Sequence, residues 1–361
     1  MLNMRKWMLA ALALALLAGC GGGAGGARPF AEGGAAAEQR VSLDMYYPAD
    51  IETHWAFDEL DNFVNADLLK GYVDAEGIVT LRPEQSISRA EFVAILVRAL
   101  GAASDAAGKT FVDVQPGAWY FEPIRIASAL DIAGGVSATE FAPDQPITRG
   151  EIATLVVRAF SGTVSFAGES KTFADVPDYF AAASIAQASR VGIVRGVTET
   201  EFRPFEKAKR AEAVVMLQRA LDLQAADLPA DEMLANVVLE SERRQFEAYT
   251  DEARNYGRLY DANAEFYTGY YLSFTDSVAD EIVSLASEGY VIDMTQTGTP
   301  SVQVLAKSDR FAVAEATGGR YPYRIYLGED EAIGEKTVEG LFYLKKMNDR
   351  TWKIYAYYPY D

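Results

Sequence analysis

Apolar residues recur at helical spacing in two matching stretches: Phe92, Ile95, Leu96 and Leu100, then Ile152, Leu155, Val156 and Phe160. Each follows a hydroxyl residue and, three places on, a glutamate: Ser88 and Glu91, Thr148 and Glu151. This spacing predicts a capping box, in which the hydroxyl accepts the third helical amide and the carboxylate takes the cap amide. A third stretch begins at Arg210, but Lys209 stands at its cap. Glu212 is therefore expected to supply only a favourable N-terminal charge, with a less firmly fixed helix start. Beyond Leu223 the pattern changes. Residues 232–271 keep a helical period through Leu234, Val238, Phe246 and Leu259, with Gly257 and Gly269 as breaks. A shorter helix over 278–287 should close at Gly289. The period then becomes two, and strands are predicted at 290–295, 302–306, 311–316, 321–327, 338–345 and 353–358, with turns at Ser308-Asp309 and Asn348-Asp349. The fold class is multidomain: an all-α part, a linker over 224–231 containing Pro229, and an α+β domain over 232–361 with a curved antiparallel sheet.

The helical part repeats itself. Arg89, Arg149 and Arg210 follow one another at steps of 60 and 61 residues. Each is preceded by an apolar residue and a proline (Leu81 and Pro83, Phe141 and Pro143, Phe202 and Pro204). Further back stand Gly71, Gly135 and Gly196, then Trp55, Trp119 and Phe180, then Asp50, Asp113 and Asp175. The first repeat has a longer loop between Gly71 and Leu81. The boundaries read 42–103, 104–163 and 164–223.

These columns resemble the S-layer homology domain, three times over. The resemblance implies a compact pseudo-threefold trimer of helical repeats. It also implies binding to peptidoglycan-linked secondary polymers, often ending in pyruvylated N-acetylmannosamine. Arg89, Arg149 and Arg210 occupy the first helical position, where a cation is unfavourable by a few tenths of a kcal/mol. A helix N-terminus with a guanidinium suits a carboxylate, such as that of a pyruvyl ketal. The alternative is an ion pair with Asp50, Asp113 or Asp175. Trp55 and Trp119 serve as core, as sugar platforms, or as both, whereas Phe180 reads as packing with Tyr179 beside it. Gly71, Gly135 and Gly196 mark loops needing positive φ or close approach. The departures in repeats one and three suggest one or two working grooves. His54, directly before Trp55, reads as part of the motif and not as a catalytic group.

At the N-terminus Arg5 and Lys6 precede an apolar run from Trp7 to Ala18, too short to span a membrane. It ends in Leu17-Ala18-Gly19-Cys20, which resembles the bacterial lipobox. A signal peptide over 1–19 and lipidation of Cys20 are expected, followed by a Gly/Ala-rich tether over 20–41. Two acyl chains would anchor stably where one would not.

Composition narrows the rest. The formal net charge is −19, which disfavours nucleic acid and anionic lipid surfaces as partners. One Cys and one His exclude a disulfide and leave no His- or Cys-based metal site; neither metal nor cofactor is expected. The C-terminal tail around Trp352-Lys353-Ile354 resembles the last hairpin of the nuclear-transport-factor-like cone fold, which implies a pocket between sheet and helices. Tyr260, Tyr267, Tyr271, Tyr321, Tyr323, Tyr355 and Tyr357 are its candidate lining, and Glu329-Asp330-Glu331 reads as a solvated turn. The reading is a non-enzymatic, lipid-anchored envelope protein that binds wall polymer and displays its C-terminal domain. The alternatives are a structural module docking an envelope protein, and a wall-anchored enzyme with carboxylates or tyrosines in that pocket.

Overall fold

A computed structural model describes residues 41–360. The expected signal peptide, Cys20 and all of the tether but Val41 lie outside the described residues. Among those described, no helix is long and apolar enough to cross a membrane.

Each repeat supplies a helix pair. The first members are α1 (Phe57–Asn65), α3 (Phe121–Ala129) and α5 (Ala182–Arg190); the second are α2 (Arg89–Leu100), α4 (Arg149–Phe160) and α6 (Arg210–Asp222). Repeat one adds a small hairpin, β1 (Tyr72–Val73) and β2 (Val79–Thr80), which is where its longer loop goes. The capping boxes predicted at Ser88/Glu91 and Thr148/Glu151 form. The expectation for Glu212 needs correction: its carboxylate accepts the Lys209 amide at 2.9 Å, so only the hydroxyl half of the box is missing. Lys209 has no oxygen to offer the third amide, whereas Glu212 retains its own reach.

The segments before the second helices join in a closed ring. The amide of Ile87 donates to Ala208, that of Ala208 to Ile147, and that of Ile147 to Ile87. All three residues are fully buried. The ring therefore satisfies main-chain groups that would otherwise be stranded in an apolar centre. Phe92, Leu96, Ile152, Val156, Val214 and Leu217 pack around it in one continuous core.

The C-terminal part opens with α7 (Asp231–Tyr249), α8 (Arg258–Phe266) and α9 (Gly269–Ser287). The expected long helix thus breaks at 250–257, and the expected short helix starts at Gly269, nine residues early. Gly269 has φ +59°, and a Cβ there would collide with the Asn65 carbonyl, so this glycine opens a helix pressed against α1. The sheet holds β3 (Val291–Met294), β4 (Ser301–Lys307), β5 (Phe311–Leu327), β6 (Asp330–Lys346) and β7 (Trp352–Pro359), all pairs antiparallel. Strand β5 is one strand where two were expected. Its first half pairs β4 and its second half β3, with an irregularity between Ala316 and Gly319. Such a bulge bends the strand, giving the curvature that lets one sheet enclose three helices. Glu329 lies in the β5–β6 turn, while Glu331 enters β6 and pairs with Arg324.

The two parts share an interface. Tyr270, Tyr355 and Ala356 belong to the core of the repeats. Tyr355 donates its hydroxyl to Asn62 at 2.6 Å, and Tyr358 donates to Asp61 at 2.7 Å. The linker is fastened as well: Asp309, in the β4–β5 turn, accepts the amides of Ala226 at 3.1 Å and Asp227 at 2.7 Å.

Candidate functional site

The three arginines begin their helices but act on the neighbouring repeat. Arg89 donates from Nε to the Phe141 carbonyl at 3.0 Å and from Nη1 to Glu151 at 2.9 Å. Arg149 reaches the Phe202 carbonyl and Glu212, and Arg210 the Leu81 carbonyl and Glu91. Each glutamate is thus both the cap of its own helix and the counter-ion of another repeat's arginine. The arginine side chains are only 4–6% exposed. Burial lowers the pKa of Arg89, and Glu151 offsets it. The expectation that these guanidinium groups meet a ligand carboxylate directly is corrected by this geometry. Their hydrogen-bonding faces are already turned inward, and their partners are glutamates of the adjacent repeat instead of the three aspartates.

The aspartates have another task. Asp50 accepts the amides of Leu81 and Arg82, Asp113 those of Phe141 and Ala142, and Asp175 those of Phe202 and Arg203. The second donor in each pair has a positive φ, +52°, +60° and +58°. A non-glycine residue in that region is strained, and the carboxylate clamps it. For Asp113 and Asp175 burial pushes the carboxyl up, but these amides outweigh it and hold it below the usual range. The three glycines are explained by close approach: a Cβ at Gly71 would meet Val79, at Gly135 Phe111, and at Gly196 Phe173. Only Gly196 also has positive φ.

What remains open to solvent is aromatic. Trp55 and Trp119 are each 62% exposed and Phe180 68%, one per repeat at corresponding positions. Phe180 is therefore not the packing residue its sequence suggested. It ends a turn before α5 with its ring outward, while Tyr179 beside it turns in. The surroundings differ. Near Trp55, His54 bonds Glu84 at 2.9 Å, and Glu84 also pairs with Lys209, whose hydrogen bond, followed by that of His54, lowers the Glu84 carboxyl to about 2. Near Phe180, the rings of Tyr179 and Phe205 lie 5.0 Å apart, and Phe205 is exposed. The Tyr179 hydroxyl is buried without a partner, and burial, then Glu151 and Asp175, raise it to about 12. It abuts Gly150, where the other repeats carry Ala90 and Ala211; a Cβ there would strike the phenol. The surfaces therefore differ: charged groups stand beside Trp55, and a second exposed aromatic, Phe205, beside Phe180.

A second concavity lies in the C-terminal domain. It has a volume of about 70 Å³ and is lined by Tyr249, Tyr267, Tyr271, Lys336 and Tyr357 among others. Tyr321 and Tyr323 go into the core instead, Tyr355 into the interface, and Tyr260 bonds Asp280 near the surface. Behind the lining, Glu242 is 2% exposed and bonds Lys336 at 2.6 Å. This pair escaped the sequence reading, although Glu242 falls on the stripe of α7 that carries Leu234, Val238 and Tyr249. The volume holds a few water molecules and is well below the 300–1,000 Å³ of ordinary ligand pockets.

Residues 110–153 and 172–214 match the model of the S-layer homology domain. The chain is 32% identical over 165 residues to a cellulosome-anchoring protein of Acetivibrio thermocellus, covering 44% of this chain and 36% of that protein. It is 31% identical over 173 residues to a surface-layer 125 kDa protein of Lysinibacillus sphaericus, covering 46% and 14%. It is 29% identical over 179 residues to an amylopullulanase of Thermoanaerobacterium thermosulfurigenes, covering 48% and 9%. The chain thus spans little more than a third of such relatives at most. S-layer homology is present in the middle of the chain; the first repeat lies outside both matched segments, yet its Asp50 accepts the Leu81 amide and its Glu91 accepts from the third repeat's Arg210, as the matching residues do in the other two.

Proposed function

We propose that this is a cell-surface protein that attaches to the cell wall through its three repeats, arranged as a pseudo-threefold unit. The ligand is a secondary polymer linked to peptidoglycan and bearing acidic sugars, with a pyruvylated terminus as the leading candidate. The site residues divide by task. Trp55 and Trp119 are the platforms on which sugar rings stack; Arg89, Arg149 and Arg210, with Asp50, Asp113 and Asp175, set the loops that carry them. Lipidation at Cys20 would add a second attachment, and two attachments on one chain reinforce each other through effective concentration. The protein belongs in the envelope, with no enzymatic role assigned. The C-terminal cavity is small, and the buried Glu242 behind it is paired with the lining residue Lys336.

The observation that carries the reading is the exposure of one large aromatic per repeat, two of which, Trp119 and Phe180, fall in segments that match the S-layer homology domain. Stacking of a sugar on an indole depends on the ring face, so Trp55→Ala with Trp119→Ala should lower retention on purified walls at least tenfold. Stripping the secondary polymer from the walls should do the same to the unaltered chain. Retention that survives either change would instead favour a protein-docking role.

A further inference from the structure

A large concavity lies between the two domains. It has a volume of about 820 Å³ and is walled by the end of α1, the last turn of α2, the start of α3 and the β6–β7 turn. For a chain of net charge −19 its lining is unusual: Arg98, Arg310, Lys345, Lys346 and Lys353 converge on it.

The hydrogen bonds of most of these cations run to main-chain carbonyls. Arg98 donates to Leu68 at 2.7 Å, Arg310 to Lys346 at 2.9 Å, Lys345 to Ala66 and Lys353 to Ala264. Lys346 differs, since it pairs with Asp227 at 2.8 Å. Arg310 stands out. Its Nε is buried with no hydrogen-bond partner, and burial alone acts on its pKa, lowering it. It fits only because Gly101 ends α2: a Cβ there would strike the guanidinium. Three carboxylates also line the cleft: Glu122 pairs with Arg125, while Asp67, which accepts from Tyr46, also faces Arg98, and Asp349, which accepts from Thr351, also faces Lys353. The α2 C-terminus contributes about half a negative charge, and with five cations against three carboxylates the lining stays net positive.

We propose that this cleft binds a soluble polyanion carrying phosphate or carboxylate groups, held by Arg98, Arg310 and Lys353. A concave, low-dielectric wall focuses the field of its charges, and a planar guanidinium matches an oxyanion. The volume lies within the range of ordinary ligand pockets. A membrane surface is a poorer fit, because a flat array of headgroups cannot enter a cleft. The proposal stands apart from wall attachment through the aromatic surfaces.

The test is calorimetric titration of the full chain with inorganic tripolyphosphate. Saturable binding at one site is expected, weakening as salt rises. Each cation removed should weaken it by about tenfold, so Arg98→Gln with Lys353→Gln should raise Kd about a hundredfold. Arg243→Gln, an exposed cation on α7, should change nothing. If the double variant does not fold, Lys353→Gln alone, at the outer rim, carries the test with a tenfold loss. Absence of saturable binding, or equal loss in Arg243→Gln, overturns the proposal. So does cosedimentation with phosphatidylglycerol vesicles that the cleft variants abolish while tripolyphosphate binding persists. Tripolyphosphate binding in a chain that fails to bind walls leaves this site intact, and the reverse result removes it alone.

Discussion

At the residue scale, the economy of the repeats rests on one carboxylate doing two things. Glu91, Glu151 and Glu212 each take a cap amide and a neighbouring arginine. Replacing Glu151 by Ala would leave the Arg89 guanidinium nearly buried with only carbonyls for company. Loss of one partner of such a pair costs about 3–5 kcal/mol; a fall of that size in chemical denaturation is expected, against a smaller one for Glu151→Gln. The same groups set an acid limit. Burial raises the Glu91 carboxyl, but the hydrogen bonds of Tyr72 and Ser88 and the Arg210 charge bring it below its ordinary value, and Asp113 and Asp175 are also low. Carboxyls depressed in the folded state contribute stability that is complete above their unfolded values, about 3.9–4.3, and is lost as pH falls through the lower folded ones. Circular dichroism between pH 6 and 2 should therefore show unfolding that begins below about pH 4, and Asp113→Asn should flatten that slope.

At the element scale, what could be read in advance follows from the range of the forces involved. Helix starts at Ser88 and Thr148 were legible because a capping box is local. The columns of Asp, Arg and Gly were legible as intervals, but their pairing was not. Spacing shows that Arg89 and Glu151 recur; it does not show that one repeat's helix reaches into the next. Trp55 and Phe180 illustrate a second limit. Phe180 reads as packing and Trp55 as core, platform or both, and only the finished surface shows all three rings outside. In the sheet, the strands expected at 311–316 and 321–327 leave residues 317–320 as a gap. The ladder runs through them because a Cβ at Gly319 would lie 2.8 Å from the Val338 side chain, so the glycine lets β6 stay close. Glu242 was hidden for the opposite reason: a charge on an apolar helix stripe makes sense only once Lys336 arrives from a strand 94 residues away.

At the scale of the whole molecule, the C-terminal domain is part of the same packed body as the repeats. Tyr270, Tyr355 and Ala356 sit in the repeat core, α9 begins against α1, and Asp309 holds the linker. Parts that share a core and a network of buried hydroxyl bonds gain their stability together, so they should melt together. Scanning calorimetry of the full chain should give one transition with matching calorimetric and van't Hoff enthalpies. Gly269→Val attacks the seam and little else. It forces a β-branched side chain into the left-handed region and drives it into the Asn65 carbonyl, while both cores keep every residue they had. The single transition should then separate into two, with the repeats still able to close their ring. Two transitions already present in the unaltered chain would mean that the seam couples the domains too weakly to fix their pose. The interdomain cleft would then have no constant shape to offer a ligand, so the calorimetric result bears on the cationic site as directly as on the fold.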